Sequence, residues 1–317
     1  MSFSRRSFLT TVSAGAVGLG ATCTLAGTKT AIAGTRIHGP QEPLRKQTGP
    51  NIDLGLAAYS FRKHFEFSKG KPNRPDDGKL IDMFGFVDYC AKQHCGAELT
   101  SYFFPPHVDR DYFLRIKRHA FLNGVPIVGT AIGNNFTIGR GEKLDEQIAD
   151  AKRWIDRAAI MGAPHIRFFA GTRKQLEAAP DNMKIAIESL QQCVDYAAKS
   201  GIFIGVENHG QLTAAQMLEI VKGVNSQWFG INLDTGNFNS DDPYRDLAIC
   251  APYAVNVQLK VKMRNPAGEK SEADYQRIGK ILADANYRGY LVLEFEEDKP
   301  FDHIPEVMNV LQKCFQG

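Results

Sequence analysis

From Asn51 onward the chain alternates short apolar runs with longer stretches whose apolar residues recur every three or four positions. The short runs, bounded by Gly, Pro, Asn and Asp, read as buried strands, and the periodic stretches read as amphipathic helices. This pattern predicts strands at 53–60, 96–100, 125–131, 165–170, 202–208, 229–235, 255–261 and 290–296. Helical patterns fill the gaps, for example 78–94, 109–123, 142–162, 181–200, 273–285 and 302–315. Strands alternating with helices build a parallel sheet with crossover helices, and eight such units argue for a single closed (β/α)₈ TIM barrel. A doubly wound open sheet is the alternative, but no Gly-rich phosphate loop follows the first strand. Pro126, Pro164 and Pro252 fall at element edges, where a missing N–H is tolerated. Gly55 and Gly129 lie inside strands, which points to close packing.

The chain before Asn51 differs in character. Ser4-Arg5-Arg6-Ser7-Phe8-Leu9 resembles a twin-arginine export motif, and a weakly apolar run extends from about Val12 to Ala26. Ala31-Ile32-Ala33 matches a small-x-small cleavage site. Residues 1–33 are therefore expected to be a signal peptide that engages the Tat machinery, which implies a periplasmic protein exported already folded. A membrane anchor fits less well, because the run is short and rich in Gly and Ala. Residues 34–50 have no periodicity and read as a linker or surface arm before a barrel over 51–317.

This segment changes the charge balance. The net charge is +3, but the first 33 residues hold Arg5, Arg6 and Lys29 and no acidic residue, so the remainder is balanced. A near-neutral chain has no global field for a phosphate backbone, which opposes a nucleic-acid partner. Cleavage would leave Cys90, Cys95, Cys193, Cys250 and Cys314, an odd number at irregular spacing, read here as packing residues rather than a disulfide framework.

In a barrel, residues at the C-terminal ends of the strands share one mouth. Glu207, Asp234 and Glu294 each follow an apolar run at such an end. Burying ionised carboxylates together is costly without a cation, and a divalent ion would offset that cost. Oxygen ligands favour Mn²⁺ or Mg²⁺.

The motifs Val206-Glu207-Asn208-His209, Leu233-Asp234-Thr235-Gly236-Asn237 and Leu293-Glu294-Phe295-Glu296 resemble the sugar isomerase/epimerase family with a xylose isomerase-like barrel. Glu98 before Leu99-Thr100-Ser101, and Arg167 before Phe168-Phe169-Ala170-Gly171, support the resemblance, which spans most of 51–317. It implies a metal held by Glu207, Asp234, the strand-seven residue and Glu294. The strand-seven position usually carries His, often as His-x-Lys; here it is Gln258, with Lys260 two residues on. An uncharged amide ligand weakens metal binding and moves the expected ion away from Zn²⁺, with Co²⁺ and Zn²⁺ as further candidates.

The implied reaction is proton transfer next to a sugar carbonyl, with Glu207 and Glu294 exchanging protons through a stabilised enediolate. Epimerisation and isomerisation both remain open. His209 would share a face with Glu207 if the strand continues, and would bond a substrate hydroxyl or a backbone carbonyl. Arg167 and Lys260 would contact substrate or neutralise carboxylates, and Glu98 and Asn237 complete the expected substrate contacts. Tyr59, Phe61, Tyr102, Phe103, Phe136 and Phe238 are candidates to stack on a sugar, or to pack loops.

Three rivals stand beside this reading. One is a lyase or hydrolase acting on 3-keto-glycosides with the same groups. The second is an endonuclease of the AP endonuclease IV type, which needs more His ligands and a basic groove. The third is a non-catalytic sugar-binding barrel. The sugar, the stereochemistry and the oligomeric state stay open, a homo-oligomer included.

Overall fold

A computed structural model describes residues 51–316. The export motif with Arg5 and Arg6, the cleavage site and the arm at 34–50 lie outside the described residues.

Eight parallel strands close into a barrel: β1 (Asn51–Ala57), β2 (Gly96–Thr100), β3 (Ile127–Ala131), β4 (His165–Phe168), β5 (Phe203–Glu207), β6 (Phe229–Asp234), β7 (Ala254–Leu259) and β8 (Arg288–Leu293). Closure runs through β1, which pairs with β8 from Asn51↔Arg288 to Leu56↔Leu293 and with β2 from Gly55↔Gly96 to Ala57↔Glu98. The principal helices are α1 (Met83–Lys92), α2 (Arg110–Leu122), α3 (Glu142–Met161), α4 (Asn182–Ala197), α5 (Ala214–Val224), α6 (Pro243–Cys250), α7 (Tyr275–Asp284) and α8 (Pro300–Phe315).

Each helix begins or turns inward for a local reason. Asp82, Asp109 and Asp274 cap α1, α2 and α7 by accepting from Gly85, Tyr112 and Arg277 N–H groups. In α3 the buried positions Leu144, Ile148, Ala151, Ile155 and Ala158 form one stripe at helical spacing, which packs on the sheet. The main core fills the space between strands and helices, and Ala57, Val128 and Val292 form a separate small cluster inside the barrel. Close approach explains two strand glycines. A Cβ on Gly55 would stand 3.1 Å from Val292, and one on Gly129 would stand 3.0 Å from the His165 ring.

Several expectations need correction. α5 and α6 fall where no helix was singled out, and two short hairpins (Phe67–Ser68 with Lys71–Pro72, Lys262–Arg264 with Lys270–Glu272) were not foreseen. Six of the eight strands also end earlier than their apolar runs. β1 stops at Ala57 because a 3-10 turn over Ala58–Phe61 places Ser60 Oγ between the Leu293 carbonyl at 3.3 Å and the Phe295 N–H at 2.9 Å. Four of the five described cysteines are buried and free, as packing residues should be, but Cys314 is exposed. Among the described residues no helix is long and apolar enough to cross a membrane.

Candidate active site

Alternation along the strands sends His165 and Arg167 of β4, Gly205 and Glu207 of β5, Asn232 and Asp234 of β6, and Asn256 and Gln258 of β7 to one face. The contacts between these side chains put that face inside the barrel. His165 lies lowest. It is buried beneath Gly129 and Gly205, both ring nitrogens lack a protein partner, and burial followed by the Arg167 charge pushes its imidazole down to about 3.

Above it the expected site residues gather at the C-terminal end. Glu98, Arg167, Glu207, Asp234, Gln258, Lys260 and Glu294 are all buried. Arg167 Nε stands 2.9 Å from Glu207 Oε2, and Arg167 donates through Nη1 to the Ile132 carbonyl at 2.8 Å. Its guanidinium lies over the Phe169 ring, 4.1 Å from the centroid. Asn237 Nδ2 donates to the other Glu207 oxygen at 2.9 Å. Lys260 Nζ contacts Glu294 Oε1 at 2.5 Å, Glu296 Oε1 at 3.0 Å and Asp234 Oδ2 at 3.5 Å.

A chain of buried amides supports this layer. Asn256 donates to Asn232 at 2.8 Å, Asn232 donates to Gln258 Oε1 at 2.6 Å, and Gln258 Nε2 faces Glu98 Oε1 at 3.5 Å. Asn208 ties the ends of β5 and β6 together: its amide donates to the Asp234 carbonyl at 2.9 Å and accepts from the Asp234 N–H at 2.8 Å. Sequence reasoning did not pick out Asn208, Asn232, Asn256 or Glu296. Polar residues repeating at every second position through Asn256, Gln258 and Lys260 were the available signal, since a half-polar interior face leaves that trace.

The electrostatics follow from crowding. Burial pushes the Glu98 carboxyl up to about 8 despite Arg167 nearby. Burial likewise outweighs Arg167 and pushes Glu207 up to about 7. Asp234 is raised by burial, although Lys260 opposes the shift, and the surrounding carboxylates hold the Lys260 ammonium charged. Glu98 supplies a pH test. Its protonated form favours the fold, a contribution complete below its unfolded value of 4.5 and lost as pH rises through about 8. Glu98→Gln is expected to match the parent stability near pH 4 and to exceed it at pH 9 by about 5 kcal/mol in denaturant unfolding. Equal stability at both pH values would show that the carboxyl is not strained by burial.

The structure bears on three expectations. β5 ends at Glu207, so His209 does not continue its strand face; it is exposed on the following loop, with its ring 4.4 Å from Phe169. Of the six candidate aromatics, Phe61, Phe103, Phe136 and Phe238 are buried packing residues, whereas Tyr59 and Tyr102 are half-buried and meet edge to face at 6.4 Å.

The third concerns the metal. Glu207, Asp234, Gln258 and Glu294 share one region, yet among the described residues no three His, Cys, Asp or Glu side chains are arranged to hold one ion. Lys260 lies among Asp234, Glu294 and Glu296, and Arg167 lies against Glu207. A dication within about 4 Å of either cation would meet about 8 kcal/mol of repulsion at an effective dielectric of about 20, which offsets its attraction to one ionised carboxylate at the same distance. Gln258 has its oxygen engaged by Asn232 and turns its NH₂ toward Glu98. This donor set does not fit a divalent ion.

Comparison with known proteins agrees with the architecture. A sequence search of the curated proteins finds no match. A D-psicose 3-epimerase from Clostridium cellulolyticum H10, solved with D-tagatose, superposes with a TM-score of 0.66 at 15% identity, covering 83% of this chain and 99% of that one. A 3-keto-D-glucoside 4-epimerase from E. coli gives 0.60 at 16% identity, covering 83% and 100%. A xylose isomerase-like TIM barrel protein from Mycobacterium smegmatis in complex with magnesium gives 0.59 at 17%, covering 83% and 98%. At these identities the likeness is one of fold. The family model for the xylose isomerase-like TIM barrel matches residues 85–314, most of the chain. With the closed eight-stranded barrel, that match establishes that the chain belongs to the xylose isomerase-like TIM barrel family.

Proposed function

We propose that this protein moves a proton on the carbon next to a carbonyl in a small sugar, epimerising or isomerising it through an enediolate. One observation carries the reading. Glu98 Oε2 is a buried oxygen at the barrel mouth without a hydrogen-bonded protein partner, and Glu207 Oε2 and Asp234 Oδ2 beside it meet only the charges of Arg167 and Lys260. Buried polar atoms need partners, and a polyhydroxylated ligand supplies several O–H groups at once.

Glu207 and Glu294 follow strands three apart in a ring of eight, so they approach a bound molecule from different sides. Glu207 takes the proton from the carbon. A carboxyl held near 7 both accepts and returns protons at neutral pH. The N–H groups of Arg167 and Lys260 stabilise the negative oxygen that develops. Glu294 returns a proton to the opposite face of the same carbon in epimerisation, or to the neighbouring carbon in isomerisation. Glu98, deep in the mouth, and half-buried Asn237 bond hydroxyls, and His209, whose imidazole is pushed down by desolvation and by the Arg167 charge, borders the entrance.

The resemblance implies a Mn²⁺ or Mg²⁺ ion, and the magnesium-bound neighbour is a further argument for one. Such an ion would polarise the carbonyl. Because the donors here do not fit it, the steps above use the chain's own groups.

A second reading draws support from a cleft of about 410 Å³ lined by Tyr102, Ile132, Asn134, Trp154 and Arg157. It abuts the mouth through Tyr102 and gives room for a second ring. A 3-keto-glycoside would then lose its α proton to Glu207 and its glycosidic oxygen, protonated by an acid of the site, as an alcohol. The proposed export would place the protein among such glycans. Incubation with a panel of free ketoses and 3-keto-glycosides, followed by NMR, separates the readings: a new epimer or isomer supports the first, and a released alcohol with an unsaturated keto-sugar supports the second. Unchanged substrates across the panel would leave a sugar-binding barrel.

A further inference from the structure

We infer that the Lys260 ammonium is the resident cation of this site and that the protein works without a divalent metal. The inference rests on the proton-transfer reading and specifies which group meets the developing charge.

Lys260 follows β7, Asp234 ends β6 and Glu294 with Glu296 follow β8. Three of the four strand ends from which metal ligands were expected thus contribute to one cluster around Nζ. An ammonium has three N–H groups, and three carboxylates surround this one. Removing such an ammonium from water is costly unless charge partners replace the water.

The surrounding backbone is shaped for this side chain. A Cβ on Gly236 would stand 2.7 Å from Lys260 Cγ and 2.9 Å from its Cβ, so the stem runs inward across a position that only glycine leaves open. Thr235 Oγ1 accepts the Lys260 backbone N–H at 2.9 Å and fixes where the stem starts. The β6 loop and the lysine are therefore fitted to each other, and the ammonium is held in place from both ends.

The neighbouring groups leave few free donors for a second cation. The Gln258 amide presents its NH₂ toward the Glu98 side of the mouth. Arg167 and Asn237 engage Glu207. The Glu296 side chain, 32% exposed, is the most open of the three partners of Lys260. A substrate oxygen displaces Glu296 from Nζ and takes over its hydrogen bond. The ammonium then meets a single carbonyl oxygen as a point charge, whereas a divalent ion can chelate two adjacent oxygens. That geometry selects keto-sugars with one activated carbonyl and does not require a neighbouring hydroxyl as a ligand.

The test uses the full purified chain and a readout independent of turnover. Metal content is measured by elemental analysis, and thermal unfolding is followed with Mn²⁺, with Mg²⁺ and with EDTA, for the parent and for Lys260→Met. The parent is expected to hold less than about one tenth of an equivalent of metal and to shift its Tm by less than about 1 °C with either ion or with EDTA. Lys260→Met, with its carboxylates uncovered, is expected to unfold at lower temperature and to recover in part on addition of Mn²⁺. About one equivalent of tightly held metal in the parent, or a rise of about 5 °C with Mn²⁺ that EDTA reverses, would overturn the inference whether or not Lys260→Met folds. Absence of turnover on any ketose would defeat the proton-transfer reading and leave these measurements unaffected.

Discussion

Glu207→Gln is expected to lower kcat by about 10³-fold on the active sugar with little change in KM, because general acid–base catalysis contributes about 10²–10⁴-fold. The amide keeps the shape of the carboxyl and a hydrogen-bonding partner for Asn237, so substrate binding should survive the change. The pH profile supplies a second readout. Burial raises the Glu207 carboxyl to about 7, so the parent should show a limb in kcat near that pH, and the variant should lack it. A variant that keeps most of its turnover would remove Glu207 from the chemistry and leave it as the partner of Arg167.

Arg167→Leu should cost the fold about 3–5 kcal/mol, because it removes one partner of a buried ion pair and leaves Glu207 uncompensated. In thermal unfolding that corresponds to a fall of about 10 °C for a domain of this size. Coupling identifies the cause. Adding Glu207→Gln to Arg167→Leu should restore part of the loss, because the stranded charge is then gone. Purely additive effects would mean that Arg167 stabilises the barrel through the Ile132 carbonyl and the Phe169 ring rather than through the carboxylate.

The barrel was readable from the alternation of apolar runs and amphipathic stretches, since that period is imposed by burial on both faces of a parallel sheet. β2 matches its expected bounds, and the other strands differ by a few residues at their ends. Those ends are set by tertiary contacts such as Ser60 reaching Phe295, which leave no local pattern. Helix α6 has only eight residues, so its stripe spans few turns and stands out less from its surroundings, whereas α5, with eleven, is longer than the foreseen α1 and α7.

The site was readable as a set and not as an arrangement. Carboxylates at Glu207, Asp234 and Glu294 announced one mouth because barrel topology carries strand ends together. Which cation would compensate them depended on where the Lys260 side chain runs, and that follows from the missing Cβ of Gly236 in a different loop. The Asn256–Asn232–Gln258 chain was equally hidden, because each amide taken alone reads as an ordinary polar residue. For His209 to share a face with Glu207 the strand had to continue, and β5 stops at Glu207.

The most direct measurement is deuterium incorporation during turnover in D₂O by the unmodified protein, read by NMR on the product. Proton exchange with carboxyls at the barrel mouth predicts deuterium at the carbon next to the carbonyl, the position from which substrate hydrogen was removed or to which it was delivered. Product formed with every carbon-bound hydrogen retained from substrate, and none acquired from solvent, would contradict the account, because the hydrogen would then have moved without passing through an exchangeable acid.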